Sequence, residues 1–143
     1  MAKFAQGKYT VKNPNKYVGK GIPTYRSSWE FKFMEFCDHT DSVLKWASEA
    51  IQIPYRNPFT NKNTVYVPDF FIIYEDKDKI KHAELIEIKP RNQTLMESAK
   101  SNKEKAQVIL NAHKWNAAKS YCAANGLVFR VINEQHIFQG TRQ

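Results

Sequence analysis

Residues 64–90 read TVYVPDFFIIYEDKDKIKHAELIEIKP. Two runs rich in β-branched and aromatic residues flank the charged DKDK segment, the pattern of two strands joined by a tight turn. The first run, 64–75, reads as one strand, with Pro68 at a bulge or an edge because it cannot donate to a ladder. A hairpin centred near residue 77 or 78 sets Asp69 opposite Glu87, since both lie equally far from 78. Strand side chains alternate between faces, so Glu87 and Lys89 share a side while Ile86 and Ile88 turn into the core. Two carboxylates and an ammonium thereby converge on one spot.

Outward from this hairpin, the chain alternates helix and strand patterns. SSWEFKFMEFCD at 27–38 places Trp29, Phe33 and Phe36 on one helical stripe. SVLKWASEA at 42–50 reads as a short helical or irregular connection, IQIPYRNP at 51–58 as a strand ended by proline, and NPFTNKN at 57–63 as a turn. Downstream come a short helical pattern near 95–99 and a long one from Asn102 to Ala124, stopped by Asn125-Gly126. LVFRVINE at 127–134 supplies a last strand. The order α-β-β-β-α-β predicts one α/β domain over 27–143, preceded by an arm over 1–26.

Composition is that of a globular chain, 42% hydrophobic and 25% charged, but 22 basic against 14 acidic residues leave a net charge of +8. The surplus favours a polyanion, nucleic acid before membrane. Residues 1–29 hold Lys3, Lys8, Lys12, Lys16, Lys20 and Arg26 and no acid, interleaved with Phe4, Tyr9, Tyr17 and Tyr25. Glycines and prolines deny this arm a period, so it should run extended and unpacked, its cations on phosphates and its rings near bases. Arg56, Arg91 and Lys103 are further candidate phosphate contacts. No apolar run approaches the roughly 18 residues of a membrane span, and MAKFAQGKYT has no signal-peptide core. Cys37 and Cys122 read as buried thiols, and the four histidines lack metal-ligand spacing.

The converging Asp69, Glu87 and Lys89 suit metal-assisted phosphodiester hydrolysis. Two carboxylates can hold Mg²⁺, a hard ion that keeps several waters, with Mn²⁺ an expected substitute and the Ile88 backbone carbonyl a further ligand. One or two ions acidify water and neutralise the scissile phosphate. Lys89 can orient or deprotonate that water, or stabilise the phosphorane. Competing readings are an edge-strand face for Glu87 and Lys89, and a capping box for Ser27-x-x-Glu30. No Gly-rich phosphate loop supports nucleotide hydrolysis.

PDF at 68–70 and EIK at 87–89 resemble the signature of the PD-(D/E)xK nuclease superfamily. The wider text SSWE…W…IPYRNP…YVPDF…IEIKP resembles its branch of transposon end-cleaving endonuclease subunits, and nucleases of T-even-type tailed phages. The resemblance implies a restriction-endonuclease-like αβββαβ core, a mixed central sheet flanked by helices. It also implies that Asp69 and Glu87 bind metal, that Lys89 is catalytic, and that Glu30 on the first helix completes the site. The expected function is a Mg²⁺-dependent DNA endonuclease processing DNA ends in phage head completion and head–tail joining. Capsid, portal or neck proteins and a second copy of the chain are possible partners, in the infected host cytoplasm or the virion. The alternatives are a non-catalytic DNA-binding or assembly protein on the same fold, and a transposon- or restriction-type endonuclease.

Overall fold

The computed structural model describes residues 6–89 and 99–133. Strand β1 (Gly7–Lys8) pairs antiparallel with β2 (Thr24–Tyr25), and helix α1 (Ser28–His39) follows. Strands β3 (Val43–Ser48), β4 (Ile53–Arg56), β5 (Asn63–Tyr66), β6 (Phe70–Glu75) and β7 (Lys81–Ile88) lead to helix α2 (Asn102–Ala124) and strand β8 (Val128–Ile132). The central sheet has the order β3-β6-β7-β8; the first two pairings are antiparallel and β7–β8 is parallel. A parallel pair needs a crossover, and α2 supplies it.

Each helix covers one face of this sheet. Phe33, Met34 and Cys37 of α1 pack with Trp46, Phe70, Ile72, Ile86 and Ile88. Ala118 and Cys122 of α2 pack with Leu85 and with Ile53 and Tyr66 of the β4–β5 hairpin. With β3, β6 and β7 side by side between α1 and α2 in chain order, the mixed sheet is the expected restriction-endonuclease-like αβββαβ core. Both cysteines are buried thiols. Among the described residues no helix is long and apolar enough to cross a membrane.

Three local expectations are corrected. The 42–50 segment, not the 51–58 run, holds the first core strand, β3, while the 51–58 strand β4 pairs with β5 in a separate two-stranded sheet. A register shift between Val43 and Lys45 breaks the alternation of β3, and Trp46 and Ala47 are buried in succession. The run 64–75 is two strands in two sheets, β5 paired with β4 and β6 with β3 and β7. Pro68 lies in the crossing between them, where it has no ladder bond to donate.

The third correction concerns the basic arm, which is extended but packed. Tyr9 is buried in the α1-side core, and the Tyr17 ring meets Trp46 edge-on at 4.7 Å. Val18 N–H donates to the Trp46 carbonyl and Trp46 N–H to that of Lys16, so the arm covers the β3 edge. Asp38, fully buried at the end of α1, accepts from the Tyr9 hydroxyl and from the Lys12 and Asn13 backbone N–H groups. Burial pushes its carboxyl up, but these bonds outweigh it and hold the pKa below the usual range. The short helix expected near 95–99 lies outside the described residues except for Ala99.

Candidate active site

The Val67–Pro68–Asp69 crossing delivers Asp69 to the end of the central sheet. Phe70 pairs with Ile86, the register of a hairpin symmetric about residue 78, so the ladder extrapolates to Asp69 beside Glu87. Asp69 Oδ2 accepts the Ile88 backbone N–H at 2.8 Å and clips the entry of β6 to the exit of β7. Glu87 is only 4% exposed. Its Oε1 accepts the Tyr66 hydroxyl at 2.7 Å, and its Oε2 lies 3.3 Å from Lys89 Nζ. The Lys89 backbone N–H donates to the Ile132 carbonyl at 3.0 Å, so β8 fixes the main chain under the ammonium. β7 is a central strand, which removes the reading of Glu87 and Lys89 as an exposed edge face.

Glu30 enters the same field from α1. Ser27 caps that helix, its Oγ accepting the Glu30 N–H at 3.1 Å, while the Glu30 carboxylate accepts the Arg26 N–H at 3.0 Å. Capping and site proximity coexist. Burial pushes the Glu30 carboxyl up, Arg26 opposes this, and Glu49 and Glu87 reinforce it. Asp69 is held well above the usual carboxylate range by burial and then by Glu87, with Glu30 adding to the effect. Partly desolvated carboxylates repelling one another are relieved by a proton or by a cation.

Asp69 and Glu87, with the Ile88 carbonyl, are hard oxygen donors of the kind Mg²⁺ takes, and their excess negative charge fits a divalent ion. Among the described residues no three His, Cys, Asp or Glu side chains form a ready-made metal cage. Mg²⁺ does not require one, because it is typically held by one or two carboxylates, waters and substrate phosphates.

The expected phosphate contacts fall in different places. Lys8, Lys12 and Lys20 are exposed along the arm, and Lys103 is exposed in the first turn of α2. Lys16 Nζ instead donates to the Asp38 and Thr40 carbonyls, where a cation satisfies the C-terminus of α1. Arg26 pairs with Glu49 at the rim of the carboxylate cluster. Arg56 Nε donates to Asn61 Oδ1 and braces the β4–β5 turn. Arg91 lies outside the described residues.

Three neighbours of the site had no separate signal in the sequence. Tyr66, 5% exposed, holds Glu87. Glu49 has a left-handed φ of 50° and donates its N–H to the Asp69 carbonyl at 2.9 Å. Lys114 of α2 has Nζ 5.9 Å from the Tyr66 ring centroid. Its pKa is lowered by burial and then by Lys89, while Glu87 pulls it back up.

Residues 40–134 match the family model described as TnsA-like endonuclease N terminal. The chain belongs to the TnsA-like endonuclease family. The matched region contains Asp69, Glu87 and Lys89 and begins after Glu30 and the arm. Across 140 residues the chain is also 35% identical to the Head completion nuclease of Enterobacteria phage T4, covering 90% of each protein. This TnsA-like chain is thus a PD-(D/E)xK-type nuclease by family and by fold.

Proposed function

We propose that this chain is a Mg²⁺-dependent DNA endonuclease that hydrolyses phosphodiester bonds by direct attack of water. Its role is to trim or process DNA ends during phage head completion and head–tail joining. The observation that carries the reading is the meeting of Asp69, Glu87 and Lys89 where β6 begins and β7 ends. The phage setting rests on the similarity to the T4 protein. It implies capsid, portal or neck proteins as partners and the infected cytoplasm or the virion as location. A second copy of the chain is the simplest way to cut both strands.

Asp69, Glu87 and the Ile88 carbonyl would hold the ion, with Glu30 as an additional carboxylate. When bound, Mg²⁺ supplies an acidified water and neutralises phosphate charge. Tyr66 keeps Glu87 Oε1 fixed, so Oε2 stays turned toward Lys89. The Lys89 ammonium, 27% exposed at its side chain, faces both the carboxylate and incoming substrate. It orients the attacking water and stabilises charge on the reacting phosphate. Lys8, Lys12 and Lys20 on the 1–26 arm add sequence-independent phosphate contacts to the 27–143 nuclease domain.

The test is cleavage of branched, single-stranded and duplex DNA with Mg²⁺, with and without chelator, by wild type, Asp69→Ala and Lys89→Ala. Chelator-sensitive cleavage by wild type alone supports the reading. If all three proteins bind DNA equally and none cuts any substrate, the enzyme reading fails in favour of a binding role.

A further inference from the structure

We propose that Lys114, set across the face of Tyr66 from Glu87 and Lys89, forms a subsite for the DNA backbone phosphate next to the scissile one, which Lys89 serves. The inference rests on the nuclease reading above and adds a residue from α2 to a site otherwise built from α1, β5, β6 and β7. Residues 111, 114, 115, 118 and 122 follow helical spacing along one face of α2. Asn111, Ala118 and Cys122 on that face are buried, and Lys114 is half-buried between them. A lysine in such a row loses hydration that an outward-facing position would keep. Its ammonium lies over the Tyr66 ring, whose hydroxyl is committed to Glu87.

The charges around it are unbalanced. Among the described residues no carboxylate lies within ion-pair distance of Lys114. Glu87 does not neutralise it, because one oxygen holds Tyr66 and the other faces Lys89. Lys114 thus stands across the Tyr66 ring from the Glu87–Lys89 pair with no carboxylate of its own among the described residues, a position that an anion from outside completes. In a nuclease that anion is DNA phosphate. Lys89, on the strand that carries Glu87, serves the reacting phosphate; Lys114 approaches from α2 across an aromatic ring and serves its neighbour.

The experiment compares wild type with Lys114→Met and Lys114→Arg on a fluorescent duplex carrying a single-stranded end. Affinity is measured against salt in chelator, and cleavage with Mg²⁺. Losing one phosphate contact lowers the slope of log affinity against log salt by roughly 0.7–0.9. Lys114→Met should show that drop together with a cleavage loss of about 10-fold, the scale of one lost charge-assisted contact, and Lys114→Arg should restore both. A methylphosphonate at the flanking position should slow wild type but add little to Lys114→Met. Lys114→Gln, which keeps a polar stem, replaces the Met variant if that protein melts early. A folded Met or Gln variant with wild-type salt slope and rate overturns the proposal. So does a methylphosphonate penalty that adds in full to the variant. Absence of cleavage by wild type would count against the nuclease reading instead, and the salt slope would still judge the phosphate subsite.

Discussion

Asp69 Oδ2 accepts the backbone N–H of Ile88 at 2.8 Å, so a carboxylate of the proposed metal site also joins the entry of β6 to the exit of β7. On the proposed function one residue serves both strand register and chemistry, and the two roles separate by substitution. Asp69→Asn keeps an acceptor for Ile88 and loses the charge. Mg²⁺-dependent cleavage should fall by about 10²-fold or more, the scale of losing one electrostatic group in an active site. The Asp69 carboxyl titrates above its unfolded value because of burial and Glu87. Its stabilising contribution is full below the unfolded pKa and is lost as pH rises through the folded one. Without metal, Asp69→Asn should therefore melt higher than wild type at neutral pH, with the gap closing in acid. Added Mg²⁺ should raise the wild-type melting temperature more than the variant's. Thermal melts across pH decide it.

Tyr66→Phe removes the hydroxyl that holds Glu87 Oε1. Groups that orient metal ligands typically affect metal affinity by 10–100-fold, so the Mg²⁺ midpoint for cleavage should rise by about that factor. Direct Mg²⁺ titration by calorimetry should weaken in parallel. An unchanged midpoint and titration would remove Tyr66 from the working site.

Ser27 and Glu30 share one helix start, and their substitutions should diverge. Ser27→Ala loses the cap on the Glu30 N–H and should cost about 1 kcal/mol of stability. Its cleavage per folded molecule should stay near wild type. Glu30→Gln keeps an oxygen for the Arg26 N–H and should preserve stability while lowering cleavage. Denaturant melts paired with rate measurements distinguish a cap from a site residue.

Asp38 ties the basic arm to the end of α1 through Tyr9, Lys12 and Asn13. Because its folded pKa is depressed, its contribution is present above the unfolded value and lost as pH falls through the folded one. Wild type should lose this stability in acid below about pH 4, the ordinary Asp range. Asp38→Ala should be destabilised at neutral pH by about 3 kcal/mol, leaving buried donors unpaired, and should lack that part of the acid dependence. Proteolysis within residues 9–17 would report release of the arm.

The sequence by itself determined the two helices, the hairpin of the second and third core strands, and through its register the nearness of Asp69 to Glu87 and Lys89. Those features depend on local periodicity, and on a short hairpin whose turn residues and symmetry set the register. Its reading of β3 failed because the bulge near Leu44 and burial on both faces erase the two-residue alternation. Its unpacked arm failed because aromatic rings and backbone groups spaced without a period find partners only on Asp38 and the β3 edge. The tertiary structure alone decided that Tyr66 holds Glu87, that Arg26 is engaged by Glu49, that Lys16 closes α1, and that Lys114 lies over the Tyr66 ring. These residues are brought together by sheet pairing and by helices packed on opposite faces. No spacing along the chain encodes a contact made by closing loops of such different lengths.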